Sequence, residues 1–250
     1  MRPRARPWVG AVRDPGCRTS PPNGRERTVS YRPDPANRHL RMGCLNEPAF
    51  PSWVWSDVCN DFGNHVAYAE YAEALRHLGM PIVAPIAAPN LEPKEDIWPS
   101  EVATVFRRYA EGVELARLRW GFEPSNPKGR AVINFRSEGR SFASSRRCLV
   151  PASHFFEFKG AKSPKSKFKF TLRDEPWFCF AGLWNPGTPE KGEAFTLLTT
   201  TPGPDVAPIH SRQMVVLKRE DWQSWLDLSK PGPEMLRALP AGSLAVEQVR

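Results

Sequence analysis

What most constrains this chain is a series of short runs rich in aromatic and β-branched residues: Lys167–Leu172, Trp177–Leu183 and Phe195–Thr200. Runs of this kind read as strands. Thr104–Tyr109, Val113–Arg119, Val132–Arg136, Met214–Leu217 and Ala245–Val249 extend the pattern, and Arg147–Pro151 leads into His154–Phe158. Helical spacing is rarer. Val66, Tyr68, Ala69, Ala72, Leu75 and Leu78 recur at near-helical intervals until Gly79-Met80-Pro81 stops them. Asp221–Leu226 and Pro233–Leu239 read as brief helices, and residues 81–100, dense in proline, as surface chain with short extended pieces. Many strands and few helices predict an α+β domain, β-rich, with a curled, barrel-like mixed sheet.

That pattern does not reach the start of the chain. Residues 1–57 are rich in Pro and Arg and lack periodicity, so they read as a disordered extension ahead of a domain spanning 59–250. The charge divides in the same place. The formal net charge is +8, yet residues 1–58 hold ten Arg and no Lys against five acids, and the remainder holds 25 Lys+Arg against 22 acids. A polyanion site in the domain must therefore be a local patch. The cysteines, Cys17, Cys44, Cys59, Cys148 and Cys179, form no CxxC pair and suggest neither a zinc site nor a disulfide framework. No cofactor is expected. No apolar run approaches the roughly 20 residues of a membrane span, and the arginine-rich start has no signal-type apolar segment. The expectation is a soluble, cytoplasmic monomer.

Cys59, in Val58-Cys59-Asn60-Asp61-Phe62, stands where the texture changes. Inside a chain it is an ordinary thiol. At the start of a chain it carries a thiol and an amine on adjacent carbons, and that pair can close a five-membered ring on an aldehyde. Val58 could be read from GTG, an alternative bacterial start, in which case Met would be inserted and then trimmed.

Polar or ionisable residues interrupt apolar sequence at Asn134-Phe135-Arg136-Ser137-Glu138, at Phe155-Phe156-Glu157 and at His210-Ser211-Arg212. Together with Trp120-Gly121, Arg147-Cys148-Leu149-Val150-Pro151-Ala152 and Thr199-Thr200-Thr201, and in this order, they resemble the SRAP family of SOS-response-associated peptidases, or abasic-site processing proteins. The resemblance runs from Cys59 to the C-terminus. It implies a protein that begins with cysteine, binds single-stranded DNA and captures an abasic site as a covalent thiazolidine, joining the nucleoid when crosslinked. By matching position it implies Cys59 as nucleophile, Asn134 as its orienting amide, and Glu157 and His210 as the proton-transfer pair. It also implies Arg136 and Arg212 as phosphate contacts and Trp120 as a stacking or wedging residue beside the DNA. Several positions depart from the family. Asn60-Asp61 stands where Gly-Arg is common, His154 where Gly is usual, and Phe158 where Trp is usual; Gln213 interrupts an Arg-Met-Pro run in which Val215 replaces the Pro.

Each residue also has a plainer reading. Cys59 could be a core thiol, Glu157 a solvent-facing strand residue, His210 an exposed loop histidine, Asn134 a turn cap and Trp120 a core aromatic. Lys159, Lys162, Lys165, Lys167 and Lys169 read equally as a solvated hairpin tip or a phosphate-steering patch. Two other functions fit the same residues: a cysteine hydrolase, able to remove a leader ahead of Cys59, and a non-covalent single-stranded DNA binder.

Overall fold

A computed structural model describes residues 60–126 and 128–250. Cys59 and the expected extension lie outside the described residues. In chain order the elements are β1 Phe62–Asn64, α1 Tyr68–His77, β2 Ile82–Ala84, β3 Lys94–Ile97, β4 Val102–Tyr109, β5 Gly112–Trp120, β6 Asn134–Arg136, β7 Arg147–Ala152, β8 His154–Lys159, β9 Ser166–Leu172, β10 Phe178–Asn185, β11 Ala194–Thr200, β12 Gln213–Met214, β13 Val216–Leu217, α2 Trp222–Asp227, α3 Gly232–Met235 and β14 Leu244–Gln248.

The larger sheet curls until it meets itself. β11, β10, β7, β4 and β5 follow one another antiparallel, and β5 then pairs with β11 in parallel through Ala194↔Arg119 and Phe195↔Trp120. The result is the curled, mixed, β-rich arrangement that the strand runs predict, closed as a ring. The second sheet, β14-β9-β8-β1-β3, is joined to the ring at Ser153, where the chain leaves β7 and enters β8.

Two cores explain why the ring strands read as unbroken apolar runs rather than alternating ones. β7 and β10 bury alternate residues on opposite faces. Val150, Phe178 and Phe180 pack with Phe62, Phe155 and Phe170 of the second sheet. Leu149, Cys179 and Ala181 pack beneath Tyr71 and Leu75 of α1 and Trp222 and Trp225 of α2. A strand covered on both sides has no polar face to display. The buried thiols of Cys148 and Cys179 belong to these cores, and burial pushes both pKa values up.

Several details differ from the expectations, among them the helix expected over Pro233–Leu239, which ends at Met235. α1 begins two residues later than expected, because Glu70 Oε1 accepts from Ala67 N–H and places the cap there. The expected strand Met214–Leu217 is split at Val215, whose N–H bonds to Leu198 while its carbonyl accepts from Ala181. β1, only three residues long, lacks any pattern a sequence reading could use. Among the described residues no helix is long and apolar enough to cross a membrane.

Candidate active site

β11 organises the site. Its C-terminal half has β6 alongside in parallel, with Leu197 opposite Asn134 and Thr199 opposite Arg136. The short β12 pairs with the same half, Thr199 with Met214 and Thr200 with Gln213. The loop ahead of β12 is wound into turns: Ala207 N–H bonds to Gly203 and His210 N–H to Val206. Ile209 packs on the first core and anchors the residue before His210. Asn134 and His210 are thus delivered to flanks of the same strand.

Glu157 arrives from the second sheet. On β8 its neighbours Phe156 and Phe158 face one way and Glu157 the other, and it is only 1 % exposed. Its Oε2 lies 3.6 Å from His210 Nδ1. That is ion-pair reach but too long for a hydrogen bond. His210 Nδ1 lies 2.8 Å from the Arg212 carbonyl and 3.2 Å from the Arg212 N–H. A carbonyl accepts and an N–H donates, so the first contact is served by a proton on Nδ1 and the second by its lone pair.

The two arginines fare differently. Arg136 ends β6 exposed. Arg212 is committed: Nη1 and Nη2 donate to the two carboxylate oxygens of Glu138 at 2.6 and 2.9 Å, and Nη2 also reaches Thr199 Oγ1 at 3.0 Å. Thr201 Oγ1 adds a bond to Glu138 at 3.1 Å. The paired guanidinium holds the Glu138 carboxyl down at about 2. A phosphate reaching for Arg212 would have to displace a bidentate carboxylate. Sequence reasoning gives Glu138 no role. Its place two residues after Arg136, in the run that begins at Asn134, is the available signal.

Trp120 requires a correction. It is 0 % exposed, tilted against Phe62 at 5.1 Å and stacked on Phe195 at 6.2 Å, with Nε1 donating to the Ile133 carbonyl at 2.9 Å. A ring enclosed on its faces and satisfied at its nitrogen cannot stack on or wedge against a base; it closes the ring sheet where β5 meets β11. Gly121 follows at φ +118° and turns the chain away, with its N–H donating to the Phe195 carbonyl at 2.7 Å.

In the lysine cluster, Lys167 and Lys169 pair with carboxylates. Lys167 Nζ lies 2.9 Å from Asp61 and 2.6 Å from Asp96, and Lys169 Nζ lies 2.8 Å from Glu95. Asp61, standing where an arginine is common in the family, is buried, and burial pushes its carboxyl up to about 7 despite the ammonium beside it.

A ring-closed mixed sheet, joined to a second sheet whose β8 buries Glu157 beside His210, makes this a β-rich α+β protein. The chain belongs to the SOS response associated peptidase (SRAP) family, whose model matches residues 58–250. It is 30% identical over 195 residues to the abasic site processing protein YoqW of Bacillus subtilis (strain 168), a match covering 71% of this chain and 85% of that one. It is 29% identical over 163 residues to the abasic site processing protein YoaM of the same organism, covering 59% and 72%. The crystal structure of a phage-related protein from Bordetella bronchiseptica shares the fold with a TM-score of 0.59 at 23% identity, covering 77% of this chain and 94% of that one.

Proposed function

We propose that this protein processes abasic sites in single-stranded DNA by forming a covalent thiazolidine through Cys59. The observation that carries the reading is the Glu157 carboxylate buried 3.6 Å from the His210 imidazole. β1 lies antiparallel beside the strand that bears Glu157, with Phe62 opposite Phe155 and Phe156 N–H donating to the Asp61 carbonyl, so the chain just ahead of β1 runs towards that carboxylate.

The chemistry needs a free amino group on Cys59, reached by initiation at Val58 and removal of Met, or by cleavage after Val58. An α-amine has a pKa near ~8 and is partly neutral at pH 7. It adds to the aldehyde carbon of the open-chain sugar, and loss of one water gives an imine. The Cys59 sulfur then adds to the imine carbon, the nitrogen takes up a proton, and a five-membered ring closes. Holding the second nucleophile in place raises its effective concentration by orders of magnitude. Glu157 would take and return protons at the amine and the departing hydroxyl, while His210, carrying a proton on Nε2, would deliver it to the sugar's ring oxygen as the ring opens. Asn134 would orient the aminothiol. Arg136 would hold a flanking phosphate, and Arg212, paired to Glu138, would chiefly steady the His210 loop.

The test is a denaturing gel. Protein beginning at Cys59 is incubated with single-stranded DNA carrying one abasic site. A heat-stable shifted band is the expected result. Binding without that band would leave a non-covalent DNA binder, and cleavage of a peptide ahead of Cys59 without any crosslink would leave a hydrolase.

A further inference from the structure

On the outer face of the second sheet, away from Glu157, two histidines converge on one carboxylate. His65 follows β1, Glu95 lies in β3 and His154 opens β8, and β1 pairs with both β3 and β8. His65 Nε2 is 3.0 Å from Glu95 Oε2, and His154 Nε2 is 3.3 Å from Glu95 Oε1. The candidate ligand atoms all lie within 4.8 Å of one another. A tetrahedral Zn²⁺ bound to imidazole and carboxylate at about 2.0–2.2 Å separates its ligand atoms by about 3.3 Å, so the two pairs already stand at near-ligating separation. His154 is buried and packed edge-on against Phe156 at 5.0 Å, whereas His65 and Glu95 are exposed, leaving a side open for water. Gly63 makes the close approach feasible: a Cβ there would come within 2.2 Å of His154 Nε2.

We propose that His65, Glu95 and His154 form a binding site for a divalent transition-metal ion of the zinc type. Two imidazoles and a carboxylate, with water in the fourth position, form a donor set suited to Zn²⁺ or Co²⁺. Two existing contacts must yield. His154 Nε2 is 2.9 Å from the Glu95 backbone carbonyl, so its proton must move to Nδ1 to free the lone pair. The Lys169 ammonium, 2.8 Å from Glu95 Oε1, must swing away. The ion would brace β1, the strand that follows Cys59, to its neighbours on both sides.

The full-length protein, freed of metal, is titrated with Co²⁺ and then Zn²⁺, following the cobalt visible spectrum and thermal unfolding. One Co²⁺ bound at micromolar concentration in a tetrahedral spectrum without a thiolate charge-transfer band, displaced by Zn²⁺ with a melting temperature raised by several degrees, is expected. His65→Ala and Glu95→Gln, both at exposed positions, should each weaken binding tenfold or more, and Lys169→Met should tighten it. Absence of binding overturns the site. So does binding that survives both ligand substitutions, carries the thiolate band of the cysteines, or is indifferent to Lys169→Met.

Discussion

Glu157 Oε2 lies 3.6 Å from Nδ1 of His210, and both side chains are almost wholly withdrawn from water. The partners come from different sheets, one from a strand and one from a wound loop. A carboxylate so enclosed is poorly solvated, and an imidazole edge faces it. If the pair moves protons during capture, Glu157→Ala should slow formation of the stable DNA–protein band by about 10²-fold or more, read under single-turnover conditions. A wild-type rate would remove Glu157 from the chemistry.

Cys59→Ser keeps the amine and loses the sulfur. The variant should form no heat-stable crosslink, while a reversible imine remains that borohydride can fix. An undiminished stable crosslink in the serine variant would mean that another group is the nucleophile.

Trp120 is expected to matter for stability. Trp120→Ala removes a ring packed on Phe62 and Phe195 and should cost about 3–5 kcal/mol in denaturant unfolding. A variant as stable as wild type that loses DNA binding would return the residue to the nucleic-acid interface.

The Arg212–Glu138 pair predicts a pH dependence. The folded carboxyl sits at about 2, below its ordinary 4.5, so its contribution is fully present above 4.5 and is lost as the pH falls towards 2. The Glu138 side chain is 42% exposed, so solvent screening reduces the gain to about 1 kcal/mol. Comparing unfolding of wild type and Glu138→Gln across this range should show the difference shrinking with acid. A constant difference would mean that the ion pair is not its source.

Arg136, exposed at the end of β6, is the second candidate phosphate contact. Arg136→Ala should weaken binding of intact single strands and reduce the slope of log affinity against log salt by about one. An unchanged slope would place the phosphate elsewhere.

Much of this architecture could be read along the chain, because strand runs such as Phe178–Asn185 and Ala194–Thr200 carry their burial on both faces as unbroken apolar sequence. α1 was legible from its spacing, and of its two buried residues Leu75 belongs to that pattern whereas Tyr71 stands outside it. β1 was not, since three residues hold no period, and its existence depends on the partners β3 and β8. The motif residues could be named from their order. Their states could not: Trp120 and Arg212 have the same identities whether they face DNA or protein, and only packing assigns one to a core and the other to Glu138.

The linear order of residues determined a β-rich α+β domain beginning near Cys59, and it singled out Asn134, Glu157 and His210, because strand periodicity and motif order are local properties. Tertiary structure alone decided that β5 closes onto β11, that Glu157 meets His210, that Asp61 is held by Lys167, and that His65, Glu95 and His154 share one corner. Each of these joins groups remote along the chain, and their proximity is set by sheet closure and burial, which no short window of sequence contains.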